Sequence, residues 1–162
     1  MVYFFTFKIN DEIQYRTQVQ SLQCADNTKA GARCKRRCVI GSPWCSTHLS
    51  YKHHLKIKPS LIPNAGKGLY ACDPMNSTSN AVLFKKGETI VKYHGELINL
   101  ETLNERYDQY TAPFTVRISA NSYEDAAKTR GIGSLANTNP GHNNATFSIY
   151  QGRALLKATK PI

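Results

Sequence analysis

Acidic side chains are scarce in this chain. Eleven Asp and Glu stand against 21 Lys and Arg, for a formal net charge of +10. The imbalance is uneven: residues 1–60 carry ten basic and three acidic side chains, and residues 61–162 carry eleven and eight. A basic front of this kind suits nucleic acid or another acidic partner, or is simply a solvated face. No apolar run reaches the ~18 residues that a membrane helix needs, so no membrane partner is expected. The opening "MVYFFTF" lacks a basic leader and a small-residue cleavage site, so it is not read as a secretory signal. No internal repeat is present. A phosphate loop is excluded too, because no Ser or Thr follows a Gly-Lys at the required spacing. Apolar residues make up 41% of the chain, with nine Tyr and six Phe, which excludes global disorder. A length of 162 residues allows one ordinary domain, or a small module plus a domain of just over a hundred residues.

Cysteines are few and grouped. Of the five, four fall within residues 24–45 and Cys72 stands alone. Without a secretory signal, clustered Cys beside a His favour metal over disulfides and an intracellular, reducing compartment. Cys45-x-x-His48 can supply two corners of a tetrahedron from one turn. Cys24 and Cys34, bracketing a turn at Gly31, supply two more, and Zn²⁺ accepts three thiolates and one imidazole as a closed structural site. Cys38 is the spare, either replacing Cys34 or remaining a free thiol. The pattern C…T-x-x-G-x-x-C…G-S-x-x-C-x-x-H is met at Cys24, Thr28, Gly31, Cys34, Gly41, Ser42, Cys45 and His48. It resembles a small Cys/His finger of viral and phage proteins. A module this short buries too little apolar surface to fold unaided, so the metal would supply folding free energy. Arg33, Lys35, Arg36 and Arg37 add a basic run that could touch phosphates. His53 and His54, read as strand neighbours, form a poor chelate and receive no role.

The remaining pattern is mainly β. Residues 3–21 alternate with period two about a turn at Asn10–Glu12, which predicts a β-hairpin. Residues 51–60 read as a basic connector leading into a strand. From residue 61 short strands alternate with Gly/Asn/Pro turns, around one helix in "NLETLNERYDQY" with Asn99 as its cap and Leu100, Leu103 and Tyr107 as its stripe. Residues 73–80 read as a polar, mobile insertion. The expected organisation is a hairpin over 1–22, a metal module over 23–50 and a β domain over 51–162.

Three segments of that last part carry the functional reading. "IPNAGKGLYA", residues 62–71, places Gly66-x-Gly68 between apolar strands, either for close approach to a ligand or as a plain hairpin turn. "KKGETIVKYHGELI" spans residues 85–98. "TRGIGSLANTNPGHNNATF", residues 129–147, holds four Asn and three Gly and no charged side chain after Arg130.

In this order the segments resemble the SET domain, the family of protein-lysine methyltransferases that use S-adenosylmethionine. The match covers about residues 55–162. Its most specific part, G-E-x-I-x-x-Y-x-G-E-x-I, is met at Gly87, Glu88, Ile90, Tyr93, Gly95, Glu96 and Ile98. The helix falls where the family has E-x-x-x-R-x-x-x-Y, here Glu101/Glu105, Arg106 and Tyr110. The segment from Tyr123 looks like the family's Y-I-D-A…N-H-S-C stretch, with Asn137-Thr138-Asn139 where the family reads Asn-His-Ser.

The resemblance implies a β-clip fold with a threaded, pseudoknot-like segment. It implies that Lys67, Gly68 and Leu69 present backbone to S-adenosylmethionine, that Asn137 holds the cofactor, and that Tyr93 lines a methyl-transfer pore. It implies a protein substrate with a lysine tail, such as a histone, and hence a nuclear site of action. The family continues past the match at Ala158–Ile162 with a Gly-Glu-Glu segment and a Tyr, so the resemblance implies a C-terminally incomplete domain. The alternative is a catalytically inactive SET-like scaffold whose metal module binds nucleic acid or protein.

Overall fold

The computed structural model describes residues 2–8, 14–20, 22–75, 81–108, 111–139 and 141–162. Small antiparallel sheets and two short helices make it mainly β, as expected. β1 (Val2–Lys8) and β2 (Gln14–Gln20) form the predicted hairpin, in register from Val2↔Gln20 to Lys8↔Gln14. The turn expected at Asn10–Glu12 lies outside the described residues, as do residues 76–80 of the expected insertion and Tyr110.

The first helix, α1, runs Ser46–His53. It replaces part of the connector expected from residue 51, and the boundary expected at residue 50 falls inside it. Its apolar stripe is weak: Leu49 is its only buried residue, so periodicity gives no helix signal. What fixes it lies at its ends. Cys45 is the N-cap, and His54 closes the C-terminus in a left-handed conformation (φ 53°), its amide returning to the carbonyls of Leu49 and Ser50.

β3 (Leu55–Pro59) pairs with β4 (Lys67–Ala71) as a hairpin, with Lys58 opposite Gly68. β5 (Thr89–Lys92) ends before His94, a positive-φ residue (60°), and β6 (Glu96–Ile98) resumes the chain. The helix α2 (Leu100–Tyr107) starts as the sequence predicts, with the Asn99 side chain accepting the Thr102 amide at 2.8 Å. β7 (Thr115–Ser119) and β8 (Ser122–Asp125) follow, then a 3₁₀ turn at Ile132–Leu135. β9 (Ala145–Tyr150) and β10 (Arg153–Ala158) close the chain. The sheet orders are β3-β4, β5-β10-β9 and β6-β8-β7. No helix among the described residues is long and apolar enough to cross a membrane.

The main core joins the Cys/His segment to the β domain. Leu49 of α1, Leu55 of β3, Phe84, Ile132 of the 3₁₀ turn and Ala158 of β10 are buried together, with Val39 and Trp44 packed against them. The 3₁₀ turn is clamped from both sides, its Ile132 amide bonding the Gly41 carbonyl at 2.9 Å and the Gly131 amide bonding the His94 carbonyl at 2.9 Å. Apolar surface and backbone hydrogen bonds thus add to whatever a metal contributes.

Two adjacent acids sit on the central strand β8, fully buried on opposite faces. Glu124 accepts the Gly95 amide at 2.9 Å and the Ala154 amide at 2.7 Å, and pairs with Arg153 at 2.8 Å. Asp125 pairs with Arg106 at 2.8 Å and accepts the Tyr107 hydroxyl at 2.9 Å and the Ala127 amide at 2.9 Å. Arg106 also reaches Glu96, tying α2 to β6 and β8. Burial disfavours the Arg106 charge, but the Asp125 and Glu96 carboxylates raise its pKa above the ordinary value. Such carboxylates are tolerated only because their lone pairs are filled. Tyr107→Phe removes one donor from Asp125 and is expected to cost about 1–3 kcal/mol in a urea melt, with the m-value unchanged.

Candidate functional site

The Cys/His cluster is built by two turns. In the first, Gly31 (φ 81°) lets the chain reverse, with the Gly31 amide bonding the Thr28 carbonyl at 2.9 Å and the Thr28 amide and hydroxyl both bonding the Ala32 carbonyl. That turn brings Cys24 and Cys34 side by side. In the second, Gly41 (φ 78°) and Ser42, whose hydroxyl accepts the Trp44 amide at 3.0 Å, deliver Cys45 to the start of α1. His48 follows one turn later on the same face. Each motif position therefore has a structural task.

Cys24, Cys34, Cys45 and His48 place their donor atoms within 4.8 Å of one another. Cys24 Sγ lies 3.3 Å from His48 Nδ1, Cys45 Sγ lies 3.6 Å from it, and the Cys34 and Cys45 sulfurs are 4.0 Å apart. A tetrahedral zinc with bonds of about 2.3 Å to sulfur and about 2.0 Å to nitrogen has edges of about 3.5–3.8 Å. The cluster can hold a metal ion, and its donors and spacing are compatible with zinc. Cys38 stands outside it, which resolves the choice between Cys34 and Cys38.

The surroundings favour the thiolate at two of the three cysteines. Burial acts to raise Cys24, but the Cys45 amide at 3.2 Å and the His48 ring hold its pKa below the ordinary value. Burial acts likewise on Cys45, and the His48 amide and Cys24 thiol bring it below as well. The Arg36 amide favours the Cys34 thiolate, yet burial and the adjoining Cys45 thiol push Cys34 up. Crowding of like charge of this sort is what a dication relieves. His53, given no role from sequence, buttresses the module: its ring stacks on Trp44 at 3.5 Å and its Nε2 lies 3.3 Å from Asp26, which also pairs with Lys52 at 2.9 Å.

The second candidate is a cleft of about 400 Å³. Gly68 and Leu69 of β4 line one wall, Asn137, Thr138 and Asn139 another, with Phe84, Phe147 and Ile162 adding apolar surface. The Asn137 amide donates to Ser60 Oγ at 2.8 Å and to the Lys67 carbonyl at 3.4 Å. Gly68 needs its bare backbone here, since a Cβ would stand 2.8 Å from the Tyr70 ring and 3.1 Å from Asn137 Nδ2. Among the described residues no Asp, Glu, Lys or Arg side chain lines the cleft.

The asparagine-rich segment is therefore a wall, with Gly68, Leu69 and Asn137 brought together and Lys67 joined through its carbonyl. Tyr93 does not line this cleft. It is buried beside Ala126 and Ala154, its hydroxyl donating to the Phe114 carbonyl at 2.7 Å and its ring standing edge-on to Phe147, centroids 5.2 Å apart. Burial and the Asp125 charge push its pKa well up, keeping the phenol neutral. Sequence reading missed Ser60, whose only signal was its place at the mouth of the β3-β4 hairpin. It also missed Glu124 and Asp125, whose signal was two consecutive acids inside a strand. No protein-family model matches the chain, and no curated protein matches it.

Proposed function

We propose that this chain is a SET-type protein-lysine methyltransferase domain carrying a structural zinc module. The observation that supports it is the shared cleft, in which the two segments named by the resemblance, Gly68–Leu69 and Asn137, face each other. The backbone of Lys67, Gly68 and Leu69 and the Asn137 amide would hold S-adenosylmethionine. That group supplies an electrophilic methyl on a sulfonium. The residues present suit it, because the lining offers amides, hydroxyls and carbonyls with apolar rings, and among the described residues no Lys or Arg. The acceptor lysine, with an ordinary pKa of about 10.4, must arrive as a neutral amine. A lining without carboxylates does not hold it as ammonium, while Phe84, Leu69 and Ile162 limit water. The substrate in this reading is a basic tail of the histone kind, which places the protein in the nucleus. The metal is zinc, its four protein ligands leaving no open position for chemistry. Exposed Arg33, Lys35, Arg36 and Arg37 suit nucleic-acid docking.

A second reading, a SET-like scaffold without catalysis, is favoured by one observation: the Tyr93 hydroxyl is engaged by Phe114 and does not face the cleft. Calorimetry with S-adenosylmethionine on the zinc-loaded chain is expected to give saturable heat, with Asn137→Ala weakening affinity about 5- to 100-fold. Methyl-labelled cofactor should then pass label to histones. Heat without label transfer supports the scaffold, and absence of heat removes the cofactor.

A further inference from the structure

The outer face of the β5-β10-β9 sheet carries a chemistry that the methyltransferase reading does not use. β9 and β10 are joined by Gln151 and Gly152, both at positive φ (49° and 71°), as a two-residue type I′ hairpin requires. The tight turn sets Tyr150 directly opposite Arg153, and the ladder continues with Leu155 opposite Lys92 of β5 and Lys157 opposite Thr89. Arg153, Leu155 and Lys157 alternate along β10 and so share one face. Together these six side chains and Gln151 line a cleft of about 440 Å³, with no carboxylate in it among the described residues.

The charges are not equivalent. Arg153 is balanced by buried Glu124 at 2.8 Å. Lys92 and Lys157 have no ion pair among the described residues. The two acids nearest Lys92 in sequence are engaged elsewhere, Glu88 accepting the Lys85 amide at 2.8 Å and Glu96 pairing with Arg106 at 2.8 Å. Two uncompensated cations held beside a third lose Coulomb energy unless an anion joins them. Next to them Tyr150 is 60% exposed, with Leu155, 8% exposed, as the floor. An exposed aromatic flanked by cations on an open sheet face is the arrangement on which a base stacks while its phosphates meet lysines.

We infer that this sheet face binds single-stranded nucleic acid, with Lys92 and Lys157 on phosphates and Tyr150 stacking on a base. The site is separate from the basic run at Arg33–Arg37, and the inference does not depend on the methyltransferase reading. The choice of a strand over an acidic peptide rests on Tyr150: a carboxylate chain has no use for an exposed ring, whereas every base has a π-face.

The test is fluorescence anisotropy of the full zinc-loaded chain with labelled dT and rU oligonucleotides across a salt series. Lys92→Gln/Lys157→Gln is expected to make the slope of log K against log salt about 1.4 units shallower, because each phosphate contact contributes about 0.7 on a single strand. Tyr150→Ala is expected to weaken binding about 5- to 150-fold with little change of slope. Preference between dT and rU would identify the source of the strand, and either preference supports the site. All three side chains are replaced on an open face, and Arg153 is left intact because it carries Glu124, so circular dichroism should match the parent. Parent-like affinity and slope in both variants would overturn the inference, as would no binding by the parent. Equal displacement of the oligonucleotide by polyglutamate would assign the face to acidic peptides instead.

Discussion

Cys45→Ser is expected to abolish stoichiometric metal binding and to lower the stability of the chain by more than about 4 kcal/mol, read by elemental analysis and by urea denaturation. The size follows from where Cys45 sits. It is one of four metal donors, and the substitution removes the thiolate alone, since Ser keeps the backbone amide that meets Cys24 Sγ at 3.2 Å and is itself a good N-cap for α1. A bound structural zinc contributes about 10–16 kcal/mol in small finger peptides, and one lost thiolate forfeits a large part of that. The loss is not confined to the module. Four residues on, Leu49 is buried against Leu55, Phe84 and Ile132, so unravelling α1 opens the core of the β domain. Cys38→Ser supplies the contrast: its sulfur lies outside the donor group, so a full metal equivalent and a change below about 1 kcal/mol are expected. Full metal retention by Cys45→Ser, or metal loss in Cys38→Ser, would show that the donor set is different.

Gly131→Ala is the second large effect, with an expected loss of more than about 3 kcal/mol. A Cβ at this position would stand 2.4 Å from the Tyr93 carbonyl oxygen and 2.4 Å from His94 Cβ. One obstacle is backbone, so relief requires the chain after β5 to move away from the 3₁₀ turn. That movement would break the Gly131–His94 hydrogen bond and disturb Ile132, which is buried in the main core. Gly141 is the control within the same segment. Nothing lies within 4 Å of a Cβ there, and only its φ of 79° resists substitution, which costs about 1 kcal/mol. Thermal melts of the two alanine variants should therefore differ clearly. Equal melting temperatures would mean that the segment does not dock on the end of β5, and the cleft wall formed by Asn137 would lose its anchor.

A single physical feature links both outcomes. The Cys/His segment and the asparagine-rich segment touch through Gly41 and Ile132, where a Cβ on Gly41 would lie 2.5 Å from the Arg130 carbonyl oxygen. The metal module thus braces one side of the turn whose far end carries Asn137. Loss of metal is accordingly expected to weaken any ligand of the cleft as well as the fold, a coupling that calorimetry on the chelated chain would read directly.

Much of this was legible in the chain because the signals are local. Thr28, Gly31, Gly41 and Ser42 specify turns within a few residues of themselves, so the bends and the ligands Cys24, Cys45 and His48 follow from spacing, while the choice of Cys34 over Cys38 waited for the fold. Period two gave β1 and β2, and Asn99 capped α2 where its stripe begins.

Tertiary structure decided what local signals do not encode. Helix α1 has no amphipathic stripe, and it exists because a cap, a ligand and one buried leucine hold it. Nothing local marks Glu124 and Asp125 as core; they are buried because each carboxylate finds distant donors, Arg153 and Ala154 for one, Arg106 and Tyr107 for the other. Tyr93 matched a motif position, yet its hydroxyl went to the Phe114 carbonyl, a partner 21 residues away. The basic sheet face is scattered over residues 89 to 157 and exists only once three strands are in register. Short-range geometry is written in neighbouring residues. Which side chains meet across the fold depends on strand order and burial, and these arise from the whole chain at once.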